Sequence, residues 1–324
     1  MTKTIFITRM IPNIAIKMLQ EKGYIVDINP KDRVLSQKQL IKYLQKKPYD
    51  AVLSLLTDHI NTAVFDAAPS VKIYANYATG FDNIDLIEAK KRSITITNAP
   101  TDLSSEAVAE HTIALMLAMT SRIVEADNFV RKGKFVGWAP MHFIGTRLHN
   151  KNLALVGVGK IGSRVALFAK GLGMNIMYTD VVRNERLEKD LGAIYYNSVD
   201  ALLPHADVVS LHVPLLDSTK HLINESRLKE MKSTAFIINT ARGPVVDEQA
   251  LERALKHKQI AGAALDVLEF EPKPVRGLTK LPNVILTPHI ASATTESRNQ
   301  MAEIAAQNII DFFEGKIPRN SITI

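Results

Sequence analysis

The chain has 324 residues, 46% of them hydrophobic, with 40 Lys and Arg against 33 Asp and Glu and no cysteine. That length is ample for two domain cores, and the missing cysteines exclude disulfides and thiolate metal centres. The net charge of +7 is dispersed over short mixed runs such as Lys46-Lys47 and Arg131-Lys-Gly-Lys134 without interleaved aromatics, which reads as a solvated basic surface and not as a nucleic-acid patch.

No apolar run reaches the ~18 residues of a membrane span. The opening residues, Thr4-Ile-Phe-Ile-Thr8, are strand-like and do not resemble a leader, so a cytoplasmic location is expected, with neither membrane nor nucleic acid as partner. Apolar runs at 4–8, 25–28, 51–56, 71–76 and 94–98 predict strands, and helical spacing of apolar residues predicts helices over 12–22, 36–46 and 84–92. Such alternation implies a parallel sheet with helices on both faces. One long helix, apolar over most of its surface and so buried, is expected over 104–130. A loop over 133–145 follows and carries the only tryptophan, Trp138.

A second unit begins near Lys151. An apolar strand from Leu153 leads into Gly157, Gly159 and Gly162 at the spacing G-x-G-x-x-G, then a helix from about Lys160, a strand over 175–179 and Asp180 at its end. Gly157 permits the tight turn, Gly159 admits a pyrophosphate to the backbone, and Gly162 lets the helix pack on the strand. The helix N-terminus faces the phosphates, and the acid takes the ribose hydroxyls. Strands follow at 208–212, 235–239, 262–266 and 284–287, with helices over 183–191, 224–229 and 247–257. A last helix, 295–313, is expected to pack back on the first unit. The expected fold is therefore α/β, with two Rossmann-like domains and a cleft between them. A discontinuous, flavodoxin-like substrate domain takes 1–99 and 291–324, and the dinucleotide-binding doubly wound parallel sheet takes 100–290.

Arg242, Asp266, Glu271 and His289 all fall at or just past strand ends of the second unit, where ligands collect in open α/β sheets. A guanidinium forks onto a carboxylate and polarises an adjacent ketone. A histidine donates a proton to an oxygen receiving a hydride, and a carboxylate beside it favours the charged imidazolium. With a nicotinamide, this set describes reversible reduction of a 2-oxo acid to a 2-hydroxy acid, and it calls for no metal.

These residues carry a resemblance. Val156-Gly-Val-Gly-Lys-Ile-Gly162, Asn239-Thr-Ala-Arg-Gly-Pro-Val-Val-Asp247, Ala264-Leu-Asp-Val267, Glu271-Pro272 and Thr287-Pro-His-Ile290 resemble the D-isomer-specific 2-hydroxyacid dehydrogenase family. Val108-Ala-Glu-His111 and Leu211-His-Val-Pro-Leu215 also match, so the resemblance spans the whole chain. It implies Arg242, Glu271 and His289 as the catalytic trio and Asp266 as a nicotinamide-side contact. It implies a cofactor site drawn from the glycine turn (Gly157, Val158, Gly159, Lys160, Ile161, Gly162), Asp180, and His212, Val213, Pro214 and Thr219. Thr240, Ala241, Arg242, Asp266, His289 and Ala291 complete it.

The stretch Ala75-Asn-Tyr-Ala-Thr-Gly-Phe-Asp-Asn-Ile-Asp85 is similar to the family's substrate loop, in which backbone amides at Ala78, Thr79 and Gly80 would hold the acid's carboxylate. Phe6-Ile-Thr-Arg-Met-Ile-Pro12, Trp138-Ala-Pro140 and His289-Ile-Ala-Ser-Ala-Thr294 resemble its glyoxylate/hydroxypyruvate reductase branch. There Leu56 and Ser292 would lie against the substrate with Arg242 and His289; Ala291 stands where that branch often has glycine. Asp180 would repel a 2′-phosphate, so NAD is the implied cofactor and NADH is expected over NADPH, with Arg183 close behind. The segment around Trp138 often forms a dimer arm in this family, so a homodimer is expected. Two alternatives stay open: another acid (D-lactate, a branched 2-oxo acid, phosphoglycerate), or an NAD-sensing binding protein on the same fold. Turnover of any 2-oxo acid separates the latter.

Overall fold

In the computed structural model, which describes residues 2–323, the alternation of the first hundred residues becomes five strands and four helices. They are β1 (Thr4–Ile7), α1 (Asn13–Glu21), β2 (Ile25–Ile28), α2 (Gln37–Leu44), β3 (Ala51–Leu55), α3 (Thr62–Ala67), β4 (Ile73–Tyr77), α4 (Leu86–Lys91) and β5 (Thr95–Thr97). Next come α5 (Asp102–Thr120), α6 (Ile123–Arg131), β6 (Asn152–Val156), α7 (Lys160–Gly171), β7 (Asn175–Thr179), α8 (Glu185–Leu191), β8 (Ile194–Tyr195) and α9 (Val199–Leu202). The remainder is β9 (Val208–Leu211), α10 (Glu225–Glu230), β10 (Phe236–Asn239), α11 (Glu248–Lys256), β11 (Gly262–Leu265), β12 (Val284–Leu286) and α12 (Thr295–Phe313). The chain divides into two compact units, one running through Ser104 and resuming at Ala293, the other Ser105–Ser292.

The first unit holds a parallel sheet in the order β2-β1-β3-β4-β5, the flavodoxin-like arrangement. Side chains alternate across it with the two-residue period of a strand. Ile5, Ile7, Leu53, Ile73 and Ala75 face one core with α1 and α12, while Phe6, Val52 and Tyr74 face the other with Leu40, Leu44 and Phe65. Helix α12 enters this core through Met301, Ala302, Ala305, Ala306, Ile309 and Ile310, two adjacent positions per turn, and Thr294 caps its first turn by accepting from the Ser297 amide at 3.1 Å.

The second unit carries seven parallel strands in the order β12-β11-β10-β9-β6-β7-β8. Counted from β6, this is the Rossmann order 3-2-1-4-5-6 with one strand added, and the order reverses between β6 and β9. Leu153, Leu155, Ile176, Tyr178 and Ile238 pack on one face with α5 and α7; Ala154, Val156, Val209, Leu211 and Ile237 pack on the other with α10 and α11. The expected α/β class with two parallel sheets is what the chain adopts.

The long helix expected over 104–130 is instead two helices, bent by 63° at Ser121-Arg122. The Thr120 hydroxyl donates back to the Met116 carbonyl, the Thr120 carbonyl is taken by the Thr146 amide at 2.8 Å, and Arg122 adopts a left-handed φ of 56°. A crossing chain, distant in sequence, captures the carbonyl that would continue the helix. The strand expected over 71–76 sits at Ile73–Tyr77, because the Val71 amide closes a turn onto Ala68. No single helix among the described residues is long and apolar enough to cross a membrane.

Candidate active site

At the point where the strand order reverses, the chain leaves β6 through Gly157, whose φ is +91°. A Cβ there would stand 2.7 Å from the His212 carbonyl, and one at Gly162 would strike the Gly157 carbonyl, so both positions hold only glycine. Beside Gly159 there is open space, and the first turn of α7, whose amides lack acceptors within the helix, begins there. This cradle fits a dinucleotide pyrophosphate. Asp180 accepts the Val158 amide at 2.7 Å and the Val181 amide at 2.7 Å, so the acid ending β7 also holds the glycine turn in shape. A carboxylate has about four acceptor sites, which leaves capacity for two ribose hydroxyls.

Val158, Gly159, Asp180, Val182, Arg183 and Asn184 line a cavity of about 420 Å³ alongside. Arg183 forks onto Glu188, with Nε and Nη2 each 2.7 Å from a carboxylate oxygen, and Tyr178 donates to the same carboxylate at 2.6 Å. The hydrogen bonds from these two partners, Arg183's the larger effect, hold the Glu188 carboxyl down at about 2. Across the switch point, His212 meets the Ser210 hydroxyl at 2.8 Å, and burial pushes its imidazole down to about 3, so it is neutral at physiological pH. Thr219 donates to the Pro214 carbonyl at 2.6 Å and accepts from the Leu216 amide at 2.8 Å, closing the turn that follows.

At the end of β10, buried Asn239 anchors the loop that carries Arg242. Its side chain accepts the Ala241 amide at 3.0 Å and donates to the Arg242 carbonyl at 2.9 Å, and Thr240 meets Thr112 at 2.8 Å. The next residue, Gly243, passes so close to the Leu268 backbone that a side chain has no room, which draws this loop against the one bearing Glu271. Glu271 accepts the Leu268 amide at 3.2 Å and faces His289 Nδ1 with oxygens at 3.2 and 3.3 Å. Burial alone would raise its carboxyl. The hydrogen bond and charge of His289, the Leu268 amide and the charge of Arg242 together reverse that and lower it. Arg242, Glu271 and His289 are therefore one electrostatic group, and Nε2 of His289 has no partner among the described residues.

His289 holds a left-handed φ of 55°, a costly conformation for a side-chain-bearing residue. Asp266, 1% exposed, maintains it. Its backbone carbonyl accepts the His289 amide at 2.8 Å, and its carboxylate accepts Thr287 Oγ1 at 2.6 Å, the Ile290 amide at 2.9 Å and the Ala291 amide at 2.8 Å. His111 Nε2 stands 3.5 Å away. Burial raises this carboxyl too, and these donors outweigh it and lower the group below its usual value. Glu248 is equally buried, and it receives the Glu269 amide at 2.6 Å and the Val275 amide at 2.9 Å, so it staples the chain on both sides of Glu271. Sequence reading passed over Glu248 because an acid opening a helix is ordinary, and over Asn239 because nothing local separates an anchoring amide from a strand-end residue.

In the first unit, Leu56 lies in a turn closed by buried Asp58, which accepts Thr8 Oγ1 at 2.5 Å and the Leu55 amide at 2.8 Å. The Ala78–Gly80 turn has its carbonyls occupied. Ala78 accepts the Ala99 amide at 2.8 Å, Thr79 accepts Asn98 Nδ2 at 2.7 Å, and Gly80 accepts Asn76 Nδ2 at 3.0 Å. The amides of Thr79 and Gly80 have no acceptor among the described residues, whereas the Ala78 amide, expected to hold the carboxylate too, is taken by the Asn76 carbonyl at 2.8 Å. Trp138, 84% exposed, stands on the surface of the second unit.

A doubly wound parallel sheet, a glycine turn at its switch point, and an arginine, a glutamate and a histidine grouped past its strand ends define a dinucleotide-dependent oxidoreductase. Residues 113–291 match the D-isomer specific 2-hydroxyacid dehydrogenase NAD-binding domain. The chain is 47% identical over 324 residues to the glyoxylate reductase of Korarchaeum cryptofilum, covering 99% of this chain and 96% of that protein. Among solved structures, the TT0316 protein from Thermus thermophilus superposes with a TM-score of 0.92 at 37% identity, covering 99% of this chain and 100% of the other. The Aquifex aeolicus D-lactate dehydrogenase complexed with NAD and lactic acid gives 0.84 at 32% identity, covering 99% of each. The chain belongs to the D-isomer-specific 2-hydroxyacid dehydrogenase family and is an oxidoreductase.

Proposed function

We propose that this chain reduces glyoxylate, and hydroxypyruvate beside it, to the 2-hydroxy acid, with NADH preferred over NADPH. The observation that carries the reading is the His289–Glu271 pair at 3.2 Å with the charge of Arg242 acting on the same glutamate. The name of the 47% identical relative supports the choice of acid. Arg242 clamps the carboxylate and polarises the ketone. His289, oriented through Nδ1 by Glu271, delivers a proton from Nε2 to the substrate oxygen. When bound, the reduced nicotinamide supplies the hydride to the adjacent carbon. Thr79 and Gly80 offer amides to the carboxylate, and Leu56 and Ser292 border the substrate. The test is NADH oxidation with glyoxylate, hydroxypyruvate, pyruvate and a branched 2-oxo acid. Best turnover on the first two supports the reading, and best turnover on a larger acid replaces the substrate.

Asp180 is the basis of the cofactor preference, since Arg183 is committed to Glu188. Asp180→Ser is expected to move the NADPH/NADH ratio of kcat/KM toward NADPH by roughly tenfold or more, the scale of one lost charge-assisted contact. An unchanged ratio rejects the assignment. A homodimer completes the reading. Phe135, Val136, Trp138 and Met141 are all exposed, Val136 at 96%, a contiguous apolar run that a second copy would cover. Light scattering is expected to give twice the chain mass, and a monomer mass rejects the dimer.

A further inference from the structure

We infer that Asn98 is a positioning residue for substrate binding: its side-chain amide turns the Thr79 carbonyl away, so that the Thr79 and Gly80 amides face the acid's carboxylate. The inference rests on the proposed reading of the Ala78–Gly80 turn. A peptide turn is ambivalent toward an anion, because carbonyls and amides alternate along it and an outward carbonyl repels what the neighbouring amide attracts. Here each carbonyl is tied back. Ala78 and Gly80 are held by the Ala99 amide and by Asn76, itself buried and hydrogen-bonded to Ser54 and Asn83. Thr79 is the exposed member of the turn, and Asn98 Nδ2, at 2.7 Å, is its holder.

Asn98 is in turn fixed by its backbone. Its amide donates to the Asn320 carbonyl at 3.3 Å, and its carbonyl accepts Nδ2 of Asn308, a residue of α12 that is 2% exposed. A buried asparagine on an otherwise apolar helix face is costly unless satisfied. Here it sets the end of β5, from which Asn98 reaches the turn. The arrangement links the last helix to one carbonyl of the substrate turn through two side-chain amides.

The test compares Asn98→Ala and Asn98→Asp with the wild type, reading KM for glyoxylate, kcat, NADH affinity, and the dissociation constant of oxamate, the amide isostere of a 2-oxo acid. The alanine variant is expected to raise glyoxylate KM and the oxamate constant about tenfold, with kcat and NADH affinity within about twofold, as loss of carboxylate orientation requires. Aspartate is isosteric and replaces the donor with a negative charge, so its KM rises further while the fold is kept. Both variants retaining wild-type KM and oxamate binding would overturn the inference. So would a parallel loss of kcat and NADH affinity, the mark of a merely structural residue. If either of these results comes from a wild type that does turn over glyoxylate, only this inference falls. A wild type inert toward every 2-oxo acid overturns the functional reading and this inference with it.

Discussion

Replacing His289 by Asn is expected to lower kcat for 2-oxo acid reduction by roughly 10²–10⁴-fold, the usual share of a positioned proton donor, with NADH still bound. The geometry behind the size of that effect is specific. Glu271 holds Nδ1 at 3.2 Å, which leaves Nε2 as the ring's free position and aims it with little rotational freedom. Within the second unit, His212 is neutral and engaged with Ser210, and His111 lies against Asp266, so neither takes over the role. Glu271→Gln should cost less, about 10–10²-fold, because it acts through His289 and an amide oxygen still accepts from Nδ1. The Glu271 carboxyl is lowered in the folded protein, so it stays ionised to a pH below the ordinary glutamate range of about 4.3. The kcat/KM profile of the wild type should therefore show no carboxylate limb above about pH 4.5. Initial rates from pH 4 upward check it, and a limb near pH 6 would mean that Glu271 gains its proton too early to serve.

Asp266→Asn is expected to be the most damaging isosteric change, lowering stability by about 2–4 kcal/mol and kcat by about 10²-fold. Three donors close on the carboxylate, Thr287 Oγ1 and the amides of Ile290 and Ala291, with His111 Nε2 farther off at 3.5 Å. An asparagine must turn its own NH₂ toward one of them, leaving that donor unsatisfied and adding a repulsion in a site that is 1% exposed. The same contacts keep His289 at its left-handed φ of 55°, a conformation costing about 1–3 kcal/mol that relaxes once the loop is released. The imidazole then leaves Glu271, and the rate falls with it. The pH sign follows from the depressed carboxyl. A group lowered on folding stabilises above its unfolded value, near 3.9 for aspartate, and that stabilisation is lost as pH falls through the folded value. Urea unfolding should therefore show the full gap between wild type and variant at pH 7, closing only in acid below about pH 4. A gap that persists unchanged into strong acid would show that the carboxylate charge is not what holds the loop.

The parts of this site that were legible in the sequence are those whose chemistry is local. Gly157 and Gly162 are required by a turn and a helix packing within a few residues, and Asp180 ends the next strand, so spacing alone exposes them. Arg242, Glu271 and His289 were visible because reactive side chains stood directly after apolar strands. The break at Ser121-Arg122 was invisible, since the amide that ends the helix comes from Thr146 and no periodicity within 104–130 records it. Glu248 and Asn98 were missed for the same reason, because each is an ordinary polar residue until the fold brings a distant backbone group to it.

Short segments of the chain dictate the two parallel sheets, the glycine cradle and the set of groups available for hydride-coupled proton transfer, because strand alternation, turn glycines and side-chain chemistry are local properties. The geometry in which those groups can act is set by the folded arrangement instead. Asp266 bends the His289 loop into a left-handed conformation, Glu248 staples the chain around Glu271, and Asn98 turns a carbonyl out of the Thr79-Gly80 amide pair. Each of these is a hydrogen bond between residues far apart in sequence. Its partner is chosen by how the sheets stack and the loops cross, and no window along the chain contains that information.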